Sequence, residues 1–141
     1  MSPVLPDWPA ATVCILATSG PDGPHAIPVS TALRAGDERI LLALAHARGS
    51  LARLREDPRV ALTVLAGPDV AFTAHGAAAV SADPLPGAEG VAAVTITVER
   101  VAGHERPTFA IDAGVRWRWT DSGALERDGA VRRALLALPP A

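Results

Sequence analysis

The sequence predicts a mainly β protein, built as an antiparallel barrel or sandwich with one internal helix and a C-terminal helix. Several short runs alternate apolar with other residues, which is typical of strands with one buried face. Clusters of glycine, proline and aspartate separate these runs at short intervals and predict hairpin turns. A barrel is attractive because closing a sheet removes its exposed edges.

The predicted strands are short. Pro28 lies inside the second strand and cannot donate to a sheet ladder, so we expect this strand at an edge or at a bulge. In the sixth strand Val94, Ile96 and Val98 share one face. The strands are predicted at 13–18, 25–33, 39–45, 60–65, 70–81, 91–101 and 115–120.

Two segments show helical spacing, and residues 1–11 read as an irregular arm or one short helical turn. The internal helix is predicted over 48–57, with Ser50 as a capping residue and Pro58 as the stop. The terminal helix is predicted over 124–138. Its expected apolar side carries Leu125, Val131, Leu135 and Leu138.

Length and composition exclude several classes of protein. A chain of 141 residues is expected to form one domain. Cys14 is the single cysteine and cannot form an internal disulfide bond. Nothing resembles a secretory signal, and no apolar run approaches the roughly 18 residues of a membrane span, so we expect a cytoplasmic protein. A net charge of −2 gives no general attraction for nucleic acid.

All 13 basic residues are arginine, because the chain has no lysine. Any bound anion must therefore be held by arginine, hydroxyl or backbone N–H groups. The histidines do not fall at metal-ligand spacing with each other or with the cysteine, and we expect no metal site. No catalytic triad, cysteine–histidine pair or carboxylate pair stands out. The histidines are His25, His46, His75 and His104.

Three segments together resemble the pyridoxamine 5'-phosphate oxidase-like family. The first runs from Ala17-Thr18 through Gly23-Pro24-His25-Ala26-Ile27-Pro28-Val29 and looks like the opening hairpin of that family. The second is Arg53-Leu54-Arg55-Glu56-Asp57-Pro58-Arg59-Val60-Ala61-Leu62, and the third is Phe72-Thr73-Ala74-His75-Gly76-Ala77-Ala78. The resemblance implies a single split β-barrel domain over 1–141, a homodimer, and FMN bound at the dimer interface.

The resemblance also implies positions for a cofactor site. Arg48, Gly49, Ser50 and Arg53 would hold the phosphate, since a helix start offers free N–H groups and the positive end of the helix dipole. The alternative is an ordinary capped, solvated helix start.

The flavin ring would lie along two further segments. Ile27, Pro28, Val29 and Ser30 would supply backbone groups at the ring edge, while Ala45 and His46 would line the ring from the neighbouring strand. The alternatives are an edge strand protected by proline and a plain core strand. Trp117 and Trp119 are two residues apart on a predicted strand, where interface or barrel-mouth packing is favoured and a cover over the flavin is the alternative.

These observations favour a flavin-dependent oxidoreductase acting on an unidentified small organic substrate. The cofactor itself carries the electron or hydride transfer, so the lack of a separate acid–base pair does not exclude catalysis. Two alternatives stay open. One is a reductase that uses the deazaflavin coenzyme F420, and the other is a non-catalytic flavin-binding or sensing module.

Overall fold

The computed structural model describes residues 2–139 and forms one antiparallel sheet with two helices. This confirms the predicted fold class, a mainly β chain with an internal and a terminal helix. The elements are β1 (Cys14–Gly20), β2 (Gly23–Val29), β3 (Leu33–Arg34), β4 (Arg39–Ala45), α1 (Gly49–Glu56), β5 (Arg59–Ala66), β6 (Val70–Ala82), β7 (Val91–Gly103) and α2 (Ser122–Ala137).

The strand order is β2-β1-β5-β6-β7-β4-β3, so the neighbouring strands β2 and β3 lie at opposite edges. Only residues 30–32 join them, and the sheet must therefore curl until its edges approach each other. Thr31 fixes that approach, since its Oγ1 accepts from the Ala43 N–H at 3.1 Å and donates to the Ala43 carbonyl at 3.3 Å. The result is an unclosed, split barrel, in which the strand bearing Pro28 is an edge strand as predicted.

The inside of the curled sheet is filled by aliphatic side chains, with Phe72 as the largest buried residue. Val94, Ile96 and Val98 are all buried there, which confirms their predicted common face. The N-terminal arm is irregular as predicted, and it covers one end of this core through the buried Leu5 and the partly buried Trp8.

Helix α2 packs on the sheet only through its second half. Ala134 and Leu135 are its buried residues, and they join Leu85 and Ala93 in a second, smaller apolar cluster. The predicted apolar side of this helix is partly wrong, because Leu125 is 57% exposed. Asp121 precedes the helix and caps it by accepting from the Ala124 N–H at 2.8 Å.

Residues 104–121, here called the strap, connect β7 to α2 without regular secondary structure. The predicted strand at 115–120 is therefore wrong. The strap lies instead directly on the β5–β6 turn: a Cβ on Gly67 would stand 1.9 Å from the Asp112 carbonyl oxygen, and one on Gly114 would stand 2.6 Å from that of Leu65. Glycine at these two positions lets backbone pack on backbone, which an alternation pattern does not reveal.

Gly76 gives a test of the sheet geometry, because it lies at a register shift between β6 and β7. A Cβ there would stand 2.1 Å from the Thr97 carbonyl oxygen. We expect Gly76→Ala to lower the free energy of unfolding by more than about 2 kcal/mol, since backbone must move to accept the methyl group. Urea denaturation measures the loss.

Gly90→Ala is the matched control, because a Cβ at Gly90 meets nothing within 4 Å. It should stay within about 0.5 kcal/mol of the wild type. Equal stabilities for the two variants would contradict the close strand approach at Gly76.

Candidate cofactor site

The start of α1 is built differently from a capped helix. Its N-cap residue is Arg48, which makes no side-chain capping bond. The prediction that Ser50 caps the helix is wrong: Ser50 lies inside the first turn and is 1% exposed. The first-turn N–H groups are therefore not satisfied by a capping side chain, and the positive end of the helix dipole lacks an acidic neighbour in that turn.

Arg53 ties this helix to the first strand. Its Nε donates to Thr18 Oγ1 at 3.2 Å, and its Nη2 donates to Ser50 Oγ at 3.4 Å. Two glycines leave the space that its side chain fills, since a Cβ on Gly20 would lie 2.9 Å from Arg53 Cδ and one on Gly49 would lie 2.8 Å from Nη1. The predicted anchor residues thus form one corner between β1 and α1.

The charge of this corner is uncompensated within residues 2–139. Arg48 and Arg53 make no ion pair there, whereas Arg55 on the same helix binds Asp83 at 2.6 Å. Arg53 Nη1 has no hydrogen-bond partner among the described residues and Arg48 is exposed. Two guanidinium groups, the glycine backbone and a helix start are the donor set that a phosphate group requires, so the residues present fit a phosphate-bearing cofactor.

His46 is engaged elsewhere. Its Nε2 lies 2.5 Å from Asp83 Oδ1, so Asp83 joins His46 to Arg55. The hydrogen bond from Arg55, followed by that from His46, lowers the pKa of Asp83 below its usual range. His46 therefore neighbours the phosphate corner in sequence, but its ring is directed to a carboxylate that fixes the β4–α1 connection.

The predicted ring-edge residues lie at the end of the edge strand β2. Pro28, Val29 and Ser30 line a shallow hollow of about 250 Å³ together with Trp117 from the strap. Ile27 is half-buried and packs against the core. The Ser30 carbonyl accepts from Arg132 Nη2 at 2.8 Å, so this group is already occupied.

The two predicted ring segments are brought together by the curl of the sheet. Ala45 lies two residues beyond Ala43, which bonds Thr31 next to Ser30. Ala43 and Ala45 line a second, larger cleft of about 630 Å³ between β4 and α2.

Sequence reasoning did not single out three groups near this site. Thr18 contacts Arg53, Arg132 binds the end of β2 from α2, and Thr31 joins the sheet edges. Their partners lie 35, 102 and 12 residues away in the chain, so no local pattern could indicate the contacts.

The fold is a split barrel with a corner suited to a phosphate. The family model of pyridoxamine 5'-phosphate oxidase matches residues 5–109, and the chain belongs to that family. It is a family of flavin-binding, typically dimeric proteins. No curated protein matches the chain.

Solved structures show the same fold at low sequence identity. A candidate pyridoxamine 5'-phosphate oxidase from Lactobacillus delbrueckii is 18% identical over 64% of this chain and 83% of its own, with a TM-score of 0.56. A structure named F420 reductase is 16% identical over 65% of this chain and 90% of its own, with a TM-score of 0.55. General Stress Protein 26 from Bacillus anthracis is 13% identical over 73% and 86%, with a TM-score of 0.52.

Residues 2–139 contain no group of three or more histidine, cysteine, aspartate or glutamate side chains placed to hold a metal ion. Within the same residues, neither helix has the length and apolar character needed to cross a membrane.

We expect that Cys14 is not a nucleophile, and its burial allows a test. Its side chain is fully buried, and burial raises the pKa of the thiol to about 12. Because the thiolate is the reactive form, we expect no modification of the native protein by a thiol reagent at pH 8, and complete modification in denaturant. Fast labelling of the native protein, measured by mass spectrometry, would contradict the burial of this residue.

Proposed function

We propose that the protein is a flavin-dependent oxidoreductase that binds FMN at a homodimer interface and acts on a small organic substrate. The observation that carries the proposal is the corner formed by Arg48, Gly49 and Arg53, where two guanidinium groups have no acidic partner among the described residues. Its family binds flavins, and a chain without lysine must use arginine to hold a cofactor phosphate.

In this proposal Arg53 is the principal phosphate ligand. Thr18 and Ser50 hold its Nε and Nη2, which leaves Nη1 to bind an anion. Arg48 adds a second charge from the helix start, and Gly49 lets the anion approach the backbone. Ser50 acts on the anion indirectly, because its buried hydroxyl orients Arg53.

The ring would lie beside Pro28, Val29 and Ser30, with Ala45 and His46 beyond its edge. Bound flavin supplies the electron or hydride transfer, and the chain positions it and limits the access of water. Trp117 lies against the same hollow and provides an apolar cover. His46, held by Asp83, would contribute to the rigidity of the β4–α1 connection.

A deazaflavin reductase is the second candidate, supported by the F420 reductase among the structural neighbours. A yellow purified protein with released FMN supports the first proposal. A colourless protein that binds the deazaflavin coenzyme on titration supports the second. Mass spectrometry of the ligand released from protein purified from its native host distinguishes them. A bound cofactor that no reductant or substrate turns over would support a sensing module instead.

The homodimer is supported by the outer face of the sheet. Residues there alternate with the core residues of β1, β2 and β5, and most of them are small or apolar. Ile15 is 41% exposed and pairs with Pro28, and Leu65 is 46% exposed on the neighbouring strand. Ala17, Ala26 and Ala61 lie on the same face, whose polar members on β5 are Thr63 and, at the strand's start, Arg59. A second copy docked here would adjoin the predicted ring edge at Pro28. We retain the expectation that this dimer resides in the cytoplasm.

The dimer is tested by placing a charge on this face. We expect a dimer at micromolar concentration, with an interface of roughly 2,000 Å² or more. Ile15→Glu should produce monomers, since an unpaired carboxylate would be buried. Leu136→Glu is the control, because Leu136 is 74% exposed on α2. Light scattering that finds a wild-type monomer would reject the interface.

The phosphate corner is tested by Arg53→Ala and Arg48→Ala. Charge-assisted hydrogen bonds contribute roughly 1.5–3 kcal/mol each, so each change should weaken FMN binding about tenfold to a hundredfold. The difference from the wild type should shrink at high salt, which screens the phosphate interaction. Fluorescence titration of FMN measures both effects.

Arg133→Ala is the matched control, because Arg133 is an exposed arginine on α2, away from the corner. Its affinity should equal that of the wild type. Ser50→Ala should weaken binding less than Arg53→Ala, because it removes only the support of the guanidinium. Unchanged affinity in both Arg48→Ala and Arg53→Ala would mean that the phosphate is held elsewhere.

A further inference from the structure

The cleft between α2 and β4 arises because the two halves of α2 pack differently. The second half reaches the sheet through Ala134 and Leu135, but no residue of the first half is buried. The helix is held in this position by Arg132, whose Nε binds Asp128 and whose Nη2 binds the Ser30 carbonyl, each at 2.8 Å. A wedge-shaped space therefore opens between the first half of α2 and the end of β4.

The space is a small-molecule cleft by size and by lining. Its volume is about 630 Å³, within the roughly 300–1,000 Å³ typical of ligand sites. Small side chains from β4, α2 and the β6–β7 connection line it, and none of them fills it. These are Ala43, Ala45, Ala88, Ala124 and Ala130.

One wall of the cleft is an indole ring in a fixed orientation. Trp119 lines the cleft and is 41% exposed. It packs edge-to-face on Trp117, with ring centroids 5.3 Å apart and planes at 79°. Trp117 is itself fixed, because its Nε1 donates to the Ala11 carbonyl at 2.9 Å. An exposed ring held in this way offers a flat apolar surface to a ligand.

Most of the charges around the cleft are paired. Asp128 binds Arg132 and Arg127 lies 3.8 Å from Asp121, so Glu89 is the one lining charge without an ion pair among residues 2–139. A ligand with a large net charge would gain little from such a rim. A flat, uncharged ring would instead bury apolar area against the alanines and stack against Trp119.

We propose that this cleft binds a flat, uncharged aromatic or conjugated molecule, with Trp119 as the residue that orients it. Trp117 lines the hollow at Pro28 and Trp119 lines the cleft, so the two packed rings join the two spaces and the bound molecule would lie next to the cofactor ring. Its role as the substrate rests on the proposed function, whereas its binding does not.

The test uses N-phenyl-1-naphthylamine, a neutral flat fluorophore whose emission rises in an apolar site. We expect one molecule to bind per chain, with energy transfer from tryptophan. Ala130→Phe should fill the cleft and weaken binding by about tenfold or more, which corresponds to about 1.4 kcal/mol. Ala137→Phe is the matched control, because Ala137 is exposed on the same helix and does not line the cleft. Its binding should equal that of the wild type.

Two variants of Trp119 test its proposed contact with the bound molecule. Trp119→Ala should weaken binding of the probe up to about tenfold, the upper end for an aromatic pair, and Trp119→Phe should restore most of it. Both variants should lose the part of the energy transfer that comes from Trp119, while Trp117, whose ring centroid lies 5.3 Å away, still contributes. Equal affinity in the wild type and Ala130→Phe would overturn the proposal, and so would equal affinity in Trp119→Ala.

Adding FMN separates the cleft from the cofactor site. We expect the probe to bind with and without FMN, because the two ligands occupy neighbouring sites. Stoichiometric displacement of the probe by FMN would overturn the proposal, since the cleft would then be the place of the cofactor itself. Probe binding in a protein that binds neither FMN nor the deazaflavin coenzyme would leave the cleft standing and reject the proposed function.

Discussion

The short connection between β2 and β3 is the constraint on which the rest of the structure depends. Four residue steps lead from Val29 to Leu33 and can span at most about 14 Å. Seven strands laid flat would separate the two edges of the sheet by about 29 Å. The sheet must therefore curl, and the two hydrogen bonds of Thr31 to Ala43 hold it in that form. The curl encloses the aliphatic core and brings the ends of β2 and β4 together.

Because the chain has no lysine, its arginines must both form the structural ion pairs and bind any anion. Arg55, Arg59 and Arg132 each bind an aspartate and serve the fold: they fix the β4–α1 connection, the start of β5 and the position of α2. Two nitrogens of Arg53 instead donate hydrogen bonds to hydroxyl groups, which carry no negative charge. A guanidinium held in place but not neutralised remains able to bind an anion, which separates it from the structural arginines.

The sequence allowed prediction of what depends on local pattern. Apolar runs, alternation and turn residues located six of the seven predicted strands, although the predicted strand 25–33 ends at Val29 and its last residue belongs to the separate β3. Pro28 correctly indicated an edge. Most of the failures share one physical cause, since they depend on distant contacts. Ser50 is a different case: it is a good capping residue, but the helix already begins at Gly49, and the buried Ser50 hydroxyl accepts from Arg53 in the same helix. The run 115–120 has strand-like residues, but the strap packs on the β5–β6 turn through Gly67 of the turn and its own Gly114. Thr31 and Arg132 gave no signal because their partners are remote.

The features that this protein shares with its family and the features that are its own lie in different parts of the chain. The family model ends at residue 109, so it covers the sheet and α1 but neither Trp119 nor α2. The phosphate corner thus lies in the part common to the family, and the cleft is completed by the part outside it. Since the Trp117–Trp119 pair and α2 form one side of the cleft, the proposed choice of ligand would be made by residues outside the matched family model. Relatives with the same sheet can therefore bind the same class of cofactor and still act on unrelated molecules.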